Sequence, residues 1–224
     1  EEVTFVKQMI YRYHKYIEDN NNNSFLTKFC AMFKIINTTN DNNNIINAQI
    51  NKQQHFMIMN CVYYDQEYCS INKPLLIYDL KGSKYNRMTE KSNNNISILK
   101  DNEWMDRGRK LDIKEYEANL MKEQLSKDVS FLKTLEIMDY SLLIALYDDD
   151  GKQSQYHYPK KVKQILNNKE TKFFIGVIDF LQHYTYWKQV EANGAYFVLG
   201  IDGYDIVDPE HYGDRLLEFV GNFV

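Results

Sequence analysis

The spacing of apolar positions changes character along the chain, and each change predicts an element. Val3, Val6, Ile10, Tyr13 and Ile17 recur at three and four residues, which places them on one face of a helix that ends before the polar "DNNNN". "HFMIMNCVYY" (His55 to Tyr64) and "KPLLIYDL" (Lys73 to Leu80) are short apolar runs bounded by polar residues, the signature of two strands, expected to be neighbours. A helical period returns in "LDIKEYEANLMKEQLSKDVSFLKTLEIM", which puts Ile113, Tyr116, Leu120, Met121, Leu125, Val129, Leu132 and Leu135 on one face. Asp112 followed three residues later by Glu115 predicts a capping box at its start. "MDYSLLIALYDDDG" predicts a strand ending in an acidic turn at Gly151, and a lysine-rich connection, Lys152 to Lys172, then leads into the almost wholly apolar start of "FFIGVIDFLQHY", a buried strand. Asp208 can cap a last helix with Pro209 in its first position and Tyr212, Leu216, Val220 and Phe223 as its buried stripe.

Helices and strands in this mixed order predict an α+β fold, and the length, 224 residues with 44% apolar, is enough for one globular unit with two lobes. Asparagine tracts at Asn20 to Asn23, Asn42 to Asn44 and Asn93 to Asn95 read as polar loop insertions, and there is no internal repeat.

Charge and composition narrow the function classes. A formal net charge of −4 disfavours wholesale nucleic-acid binding, because phosphate backbones select basic faces. No apolar run approaches the roughly 20 residues needed to cross a bilayer, and "EEVTFVKQMI" lacks the pattern of a signal peptide, so a soluble protein is expected. Cys30, Cys61 and Cys69 are odd in number and at no zinc spacing, which argues against a disulfide framework and for a reducing, cytosolic setting.

The chemistry concentrates in three acids. Asp79, Asp139 and Asp179 each interrupt or end a strongly apolar segment, where an unpaired carboxylate would cost several kcal/mol. Each could be a hydrogen-bonded core carboxylate. Three together, the first beside "KGSKYNR" with Lys81, Lys84 and Arg87 around Gly82, point instead to a site handling phosphate and Mg²⁺. The "KGS" turn is too short for a P-loop, and cations after a strand usually sit in solvent, so spacing alone leaves phosphate binding open. His14, His55, His157, His183 and His211 are scattered and carry no metal or catalytic pattern.

"YDLKGSKYNR", "EIMDYSLL" and "IGVIDFLQHY", in that order, resemble the three signature segments of the phosphatidylinositol phosphate kinases, and "LKDNEW...GRKLDI" and "DPEHYGDRLLEFVGNFV" resemble further stretches of the same catalytic domain. The resemblance runs from the first helix to the C-terminus. It implies a two-lobed lipid kinase distantly related in architecture to protein kinases, with residues 1–76 as the remainder of an N-lobe and hinge, 77–224 as a C-lobe, and an activation loop at about 183–208. It implies ATP and Mg²⁺ as cofactors. Asp139 matches the catalytic acid near the attacking hydroxyl, and Lys81 stands beside it in the reaction; Asp179 matches the Mg²⁺ ligand. Asp79, Lys81, Arg87, Lys188 and Glu191 match positions around the substrate phosphates, with Gly82 letting the backbone come close. Met59, Asn60 and Cys61 match the adenine-receiving hinge, with Leu143 and Ile178 on the flat faces of the base. Glu191 falls where the 4-phosphate 5-kinases have glutamate and the 5-phosphate 4-kinases alanine, and Gln182 also looks like the 5-kinase class, so the expected reaction is phosphorylation of the 5-hydroxyl of phosphatidylinositol 4-phosphate. The runner-up is a 5-phosphate 4-kinase. The implied partners are a phosphoinositide lipid and an anionic membrane surface, met peripherally at the cytoplasmic face; oligomeric state stays open, a homodimer included.

Two departures from the family pattern stand out. The glycine-rich loop and the ATP lysine, which in the family precede the helix that opens this chain, are not in the sequence, so the N-lobe is expected to be incomplete; this motivates a rival reading as a phosphoinositide-binding pseudokinase or scaffold. In the activation loop the second lysine of a family pair is Gln189, and no Lys or Arg follows it before Asp214. An acidic loop is repelled by anionic lipid, although "AYFVLG" could insert. Lys152, Lys160, Lys161, Lys163, Lys169 and Lys172, opposed only by Glu170, form either a docking patch or a solvated connection.

Overall fold

The opening helix, α1 (Glu2–Asp19), forms where the sequence places it and buries Val6, Met9, Tyr13 and Ile17. Ile10, expected inside, is 40% exposed, because Met9 fills its turn of the buried face. The computed structural model describes residues 2–21, 23–37, 52–63, 74, 76–89, 98–111, 113–148, 160–163, 170–184 and 208–224. In chain order the strands are β1 (Phe29–Asn37), β2 (Lys52–Met59), β3 (Leu76–Leu80), β4 (Ile98–Leu99), β5 (Ile137–Met138), β6 (Ser141–Asp148), β7 (Lys160–Lys163), β8 (Glu170–Ile178) and β9 (Gln182–His183). The further helices are α2 (Asp101–Asp106), α3 (Glu115–Thr134) and α4 (Pro209–Gly221). The residues fall into two compact units, Thr27–Cys61 and the remainder, Glu1–Leu26 with Val62–Val224.

The smaller unit is an antiparallel pair, β1 against β2, with Phe33 opposite Phe56 and their rings stacked at 5.4 Å. The two strands expected to be neighbours are not. The first, β2, takes β1 as its partner, a strand whose unbroken "FCAMFKII" carries no clear period of two; the second, β3, lies in the larger unit.

The larger unit holds a five-stranded sheet in the order β4-β3-β6-β8-β7, antiparallel except for the β3–β4 pair. The lysine-rich connection expected to be irregular contains β7, which pairs with β8 through Val162 opposite Thr171. On one face of the sheet Ile77, Leu143, Ala145, Tyr147 and Phe174 form a core cluster, against which Val62, Tyr63 and Ile178 pack. The long helix α3 starts at Glu115 with Lys114 as its cap, so the expected capping box is absent from its start; Asp112 lies outside the described residues. Its buried stripe is Ala118, Met121, Leu125, Val129 and Leu132, and Tyr116 and Leu120, which lie off that stripe, are exposed at 72% and 43%. Tyr16 of α1 stacks on Phe131 of α3 at 4.1 Å and donates to Asp128 Oδ1 at 2.6 Å. Asp128 is buried and also accepts the Phe25 amide at 2.7 Å, so one carboxylate ties α1, the segment after it and α3 together.

As expected, Asp208 caps α4, accepting from the amides of Glu210 and His211, and Tyr212, Leu216, Val220 and Phe223 are buried. Burial would raise the Asp208 carboxyl pKa, but these donors and the His211 ring outweigh it and hold it below the usual range. α4 lies close against α3 at Gly213, where an added Cβ would stand 2.5 Å from Lys133 Cε and 2.7 Å from Val129 Cγ1.

Candidate active site

The two longest strands of the sheet break at the same level, and an acid stands at each break. β6 and β8 pair from Asp148 opposite Thr171 down to Ser141 opposite Ile178; the same two chain segments pair again as β5 and β9, Met138 opposite Gln182. Between the ladders two residues, Asp139 and Tyr140, face three, Asp179, Phe180 and Leu181. Asp139 and Asp179 absorb this mismatch with left-handed backbones, φ 65° and 61°. A residue with a Cβ pays about 1–2 kcal/mol for that conformation, and such strain collects where surrounding structure over-determines it.

What over-determines it is the aromatic residue after each acid. Tyr140 is fully buried, and Tyr212 of α4 donates its hydroxyl to the Tyr140 carbonyl. Phe180 is 1% exposed and stacks on Tyr13 of α1 with ring centroids 6.0 Å apart. Both side chains point into the core and leave their acids at the rim.

Lys81 reaches Asp139: its Nζ forms an ion pair with Oδ1. Asp179 has no hydrogen-bond or ion-pair partner among the described residues. Partial burial raises its pKa first, the charges of Asp79 and Asp139 raise it further, and Lys81 opposes them. An acid crowded by two others and left unpaired fits a divalent cation, which would remove that repulsion. Among the described residues no three or more His, Cys, Asp or Glu side chains converge into a ready-made metal cage. That accords with Mg²⁺, which takes one or two carboxylates and completes its shell with phosphate and water.

Arg87, expected near the substrate phosphates, is drawn into the fold. It is 6% exposed, with Nε 2.7 Å from Asp101 Oδ2 and an amino group 3.1 Å from Asp79 Oδ1 and 2.6 Å from the Asp79 carbonyl. Burial works against its charge, but Asp101 and Asp79 outweigh it and raise the guanidinium pKa. Two of its three nitrogens are thus engaged within the fold, where they hold the loop. Asp101, fully buried at the start of α2, also accepts the amides of Lys81 at 3.0 Å and Gly82 at 2.7 Å. Gly82, expected to admit a phosphate, has φ 72° and lies against α4: a Cβ there would stand 3.0 Å from the Arg215 carbonyl oxygen. The close approach is to a helix. Among the described residues Lys84 makes no ion pair, and its carbonyl accepts from Asn102 Nδ2 at 3.1 Å.

Of the expected adenine contacts, Leu143 and Ile178 share the apolar cluster on the sheet, while Met59, Asn60 and Cys61 close the smaller unit, where the Asn60 amide donates to the Lys28 carbonyl at 3.0 Å. Lys188 and Glu191 lie outside the described residues, as do Lys152, Lys169 and the loop residues 185–207. Sequence reasoning did not single out Asp101 or Asp128. Both sit within helices at polar-looking positions, and apart from Gln124, one turn before Asp128, their partners named here lie 14 to 112 residues away, so little that is local announces them.

The sequence model described as Phosphatidylinositol-4-phosphate 5-Kinase matches residues 1–172 and 153–223. The chain belongs to this family. Its mixed helix and strand content agrees with the expected α+β class. Among the relatives, the Gallus gallus phosphatidylinositol 5-phosphate 4-kinase type-2 alpha is 26% identical over 275 aligned positions, covering 100% of this chain and 63% of its own length. The Xenopus tropicalis type-2 gamma enzyme is 24% identical over 99% of the chain, and the Homo sapiens type-2 beta enzyme 26% identical over 69%. The chain thus spans 63% of the chicken relative, and every relative named here is a phosphoinositide kinase by name. No helix among the described residues is long and apolar enough to cross a membrane.

Proposed function

We propose that this phosphatidylinositol phosphate kinase family member transfers the γ-phosphoryl of ATP to an inositol hydroxyl of a phosphoinositide. The observation that carries the reading is the paired break: Asp139 and Asp179, in two of the three signature segments, both adopt strained backbones at one sheet level, with Lys81 on the first. Asp139 would accept the hydroxyl proton and orient the attack, and Lys81 holds the carboxylate in place. Asp179, helped by Asp79, would hold Mg²⁺. Magnesium bound there would neutralise charge on the transferring phosphoryl group. The two-lobed kinase arrangement, with an N-lobe ending near residue 76, belongs to this proposal, as do adenine contacts from Met59 to Cys61, Leu143 and Ile178, and lipid contacts from Lys188 and Glu191. Peripheral work at an anionic membrane surface follows from a membrane lipid as substrate.

For the hydroxyl, Glu191 supports the 5-position of phosphatidylinositol 4-phosphate. The names of the relatives support a second reading, the 4-position of phosphatidylinositol 5-phosphate. The test is radiolabelled ATP turnover on vesicles carrying either monophosphate, by this chain and by a form extended upstream with a glycine-rich strand pair and its lysine. Label at the 5-position supports the first reading and label at the 4-position the second. Lipid binding without label from either form would replace both with the pseudokinase.

A further inference from the structure

Away from the paired break, two arginines flank the end of α2 and share one neutral partner. Arg107 donates through an amino group to the Tyr78 hydroxyl at 3.4 Å. Arg109 lies over the Tyr78 ring, 5.3 Å from its centroid, and reaches the same hydroxyl. Among the described residues neither guanidinium meets a carboxylate. Asp101 is committed to Arg87, Glu103 accepts the amides of Thr89 and Lys100, and Asp106, next to Arg107 in sequence, is exposed and makes no ion pair among the described residues; Asp112 lies outside them.

Two buried donors here lack acceptors among the described residues: Arg109 Nε and the indole Nε1 of Trp104, whose ring meets Tyr78 edge-on at 4.9 Å and is 2% exposed. Buried donors without partners are rare, because each forfeits its hydration. Burial lowers the Arg109 pKa, and the charge of Arg107 lowers it further while Tyr78 opposes both. Gly108, between the arginines, has open space where a Cβ would be, so nothing fills the turn from that side. Lys110 adds a third, exposed cation.

The geometry points to a binding site for a phosphate monoester at Arg107 and Arg109, beside Tyr78 and Trp104. Guanidinium forks match phosphate oxygens in pairs, and two forks that meet no carboxylate among the described residues match the charge of a dianion. The site is distinct from the Asp139–Asp179 edge and does not depend on the kinase reading. The monoester could be soluble or the headgroup of a lipid.

Trp104 supplies the readout. Trp187→Phe leaves it the only tryptophan in the chain, and its emission is followed while the protein is titrated with glycerol phosphate, with phosphatidylcholine vesicles containing phosphatidic acid, and with vesicles containing phosphatidylserine. A saturable change with glycerol phosphate marks a soluble ligand, and one with phosphatidic acid vesicles alone a lipid one. In either case Arg107→Gln and Arg109→Gln should weaken binding at least about tenfold, as losing a charge-assisted hydrogen bond does, while the remote Lys15→Gln leaves it unchanged. Arg107 is exposed, so its variant decides the matter if Arg109→Gln fails to fold, as circular dichroism would show. No saturable change with either monoester, an equal response to phosphatidylserine, or an equal loss in Lys15→Gln would overturn the proposal.

Discussion

Asp139 and Asp179 keep left-handed backbones that glycine would hold more cheaply, and the proposed function gives their carboxylates a use to set against that strain. Asparagine tolerates the same backbone and removes only the charge. Asp139→Asn should therefore leave the thermal unfolding midpoint nearly unchanged and lower phosphoryl transfer by about 10²–10⁴-fold, the range for losing a proton acceptor; turnover within a few-fold of the parent would remove Asp139 from the mechanism. Asp179 makes a prediction that needs no substrate. Its pKa is raised, so below about pH 4, the unfolded value, it is protonated in both states and its contribution to stability is full. As pH rises through the higher folded value, the carboxylate ionises beside Asp79 and Asp139 and that contribution is lost. Asp179→Asn never ionises; it should melt higher than the parent at pH 7 and lose the advantage below about pH 4, read by thermal unfolding across pH.

At the scale of elements, the loop after β3 is held by what lies beneath it. Arg87, Asp79 and Asp101 form a buried ion-pair group whose carboxylates and amides fix Lys81 at Asp139. Asp101→Leu alone strands Arg87 and should cost about 3–5 kcal/mol in denaturant unfolding, whereas adding Arg87→Met should recover much of it, because the uncompensated charge is gone. Gly82→Ala meets both a positive φ and the α4 backbone, and should cost about 1–3 kcal/mol by the same measurement. How far such elements were legible depended on how locally they are specified. α1, β6, β8 and α4 announce themselves through period and caps, and the acids at the break stand out because charges interrupt apolar runs. The packing of Arg87 and Gly82 was not legible because their partners, Asp101 and Arg215, come from other segments of the chain. β1 was missed because its strand-forming residues lack alternation, and Tyr116 and Leu120 because a helical period fixes a stripe only to within its neighbours.

For the whole molecule, the two units should differ in resistance to opening. The larger buries side chains on both faces of a five-stranded sheet, while the smaller rests on one antiparallel pair with Phe33, Ile35, Phe56 and Ile58 each more than two-fifths exposed. A two-stranded ribbon is marginal by itself. Native-state hydrogen exchange should release the amides of β1 and β2 well before those of β6 and β8; equal protection would show that the hairpin shares the stability of the sheet.

The break between the ladders also says what kind of accident this protein could not survive. Two residues facing three is an odd remainder, and it cannot be shared out: removing Leu181 would leave two facing two and let one continuous ribbon run from β8 into β9. Both acids would then be ordinary rungs of a hairpin, their carboxylates alternating between faces instead of meeting at one edge. Substitutions can erode such a site by degrees, but a three-nucleotide deletion in frame abolishes it at once while making the sheet more regular. The edge that carries both acids is, in effect, a counting error in the ladder that the rest of the fold keeps from being corrected.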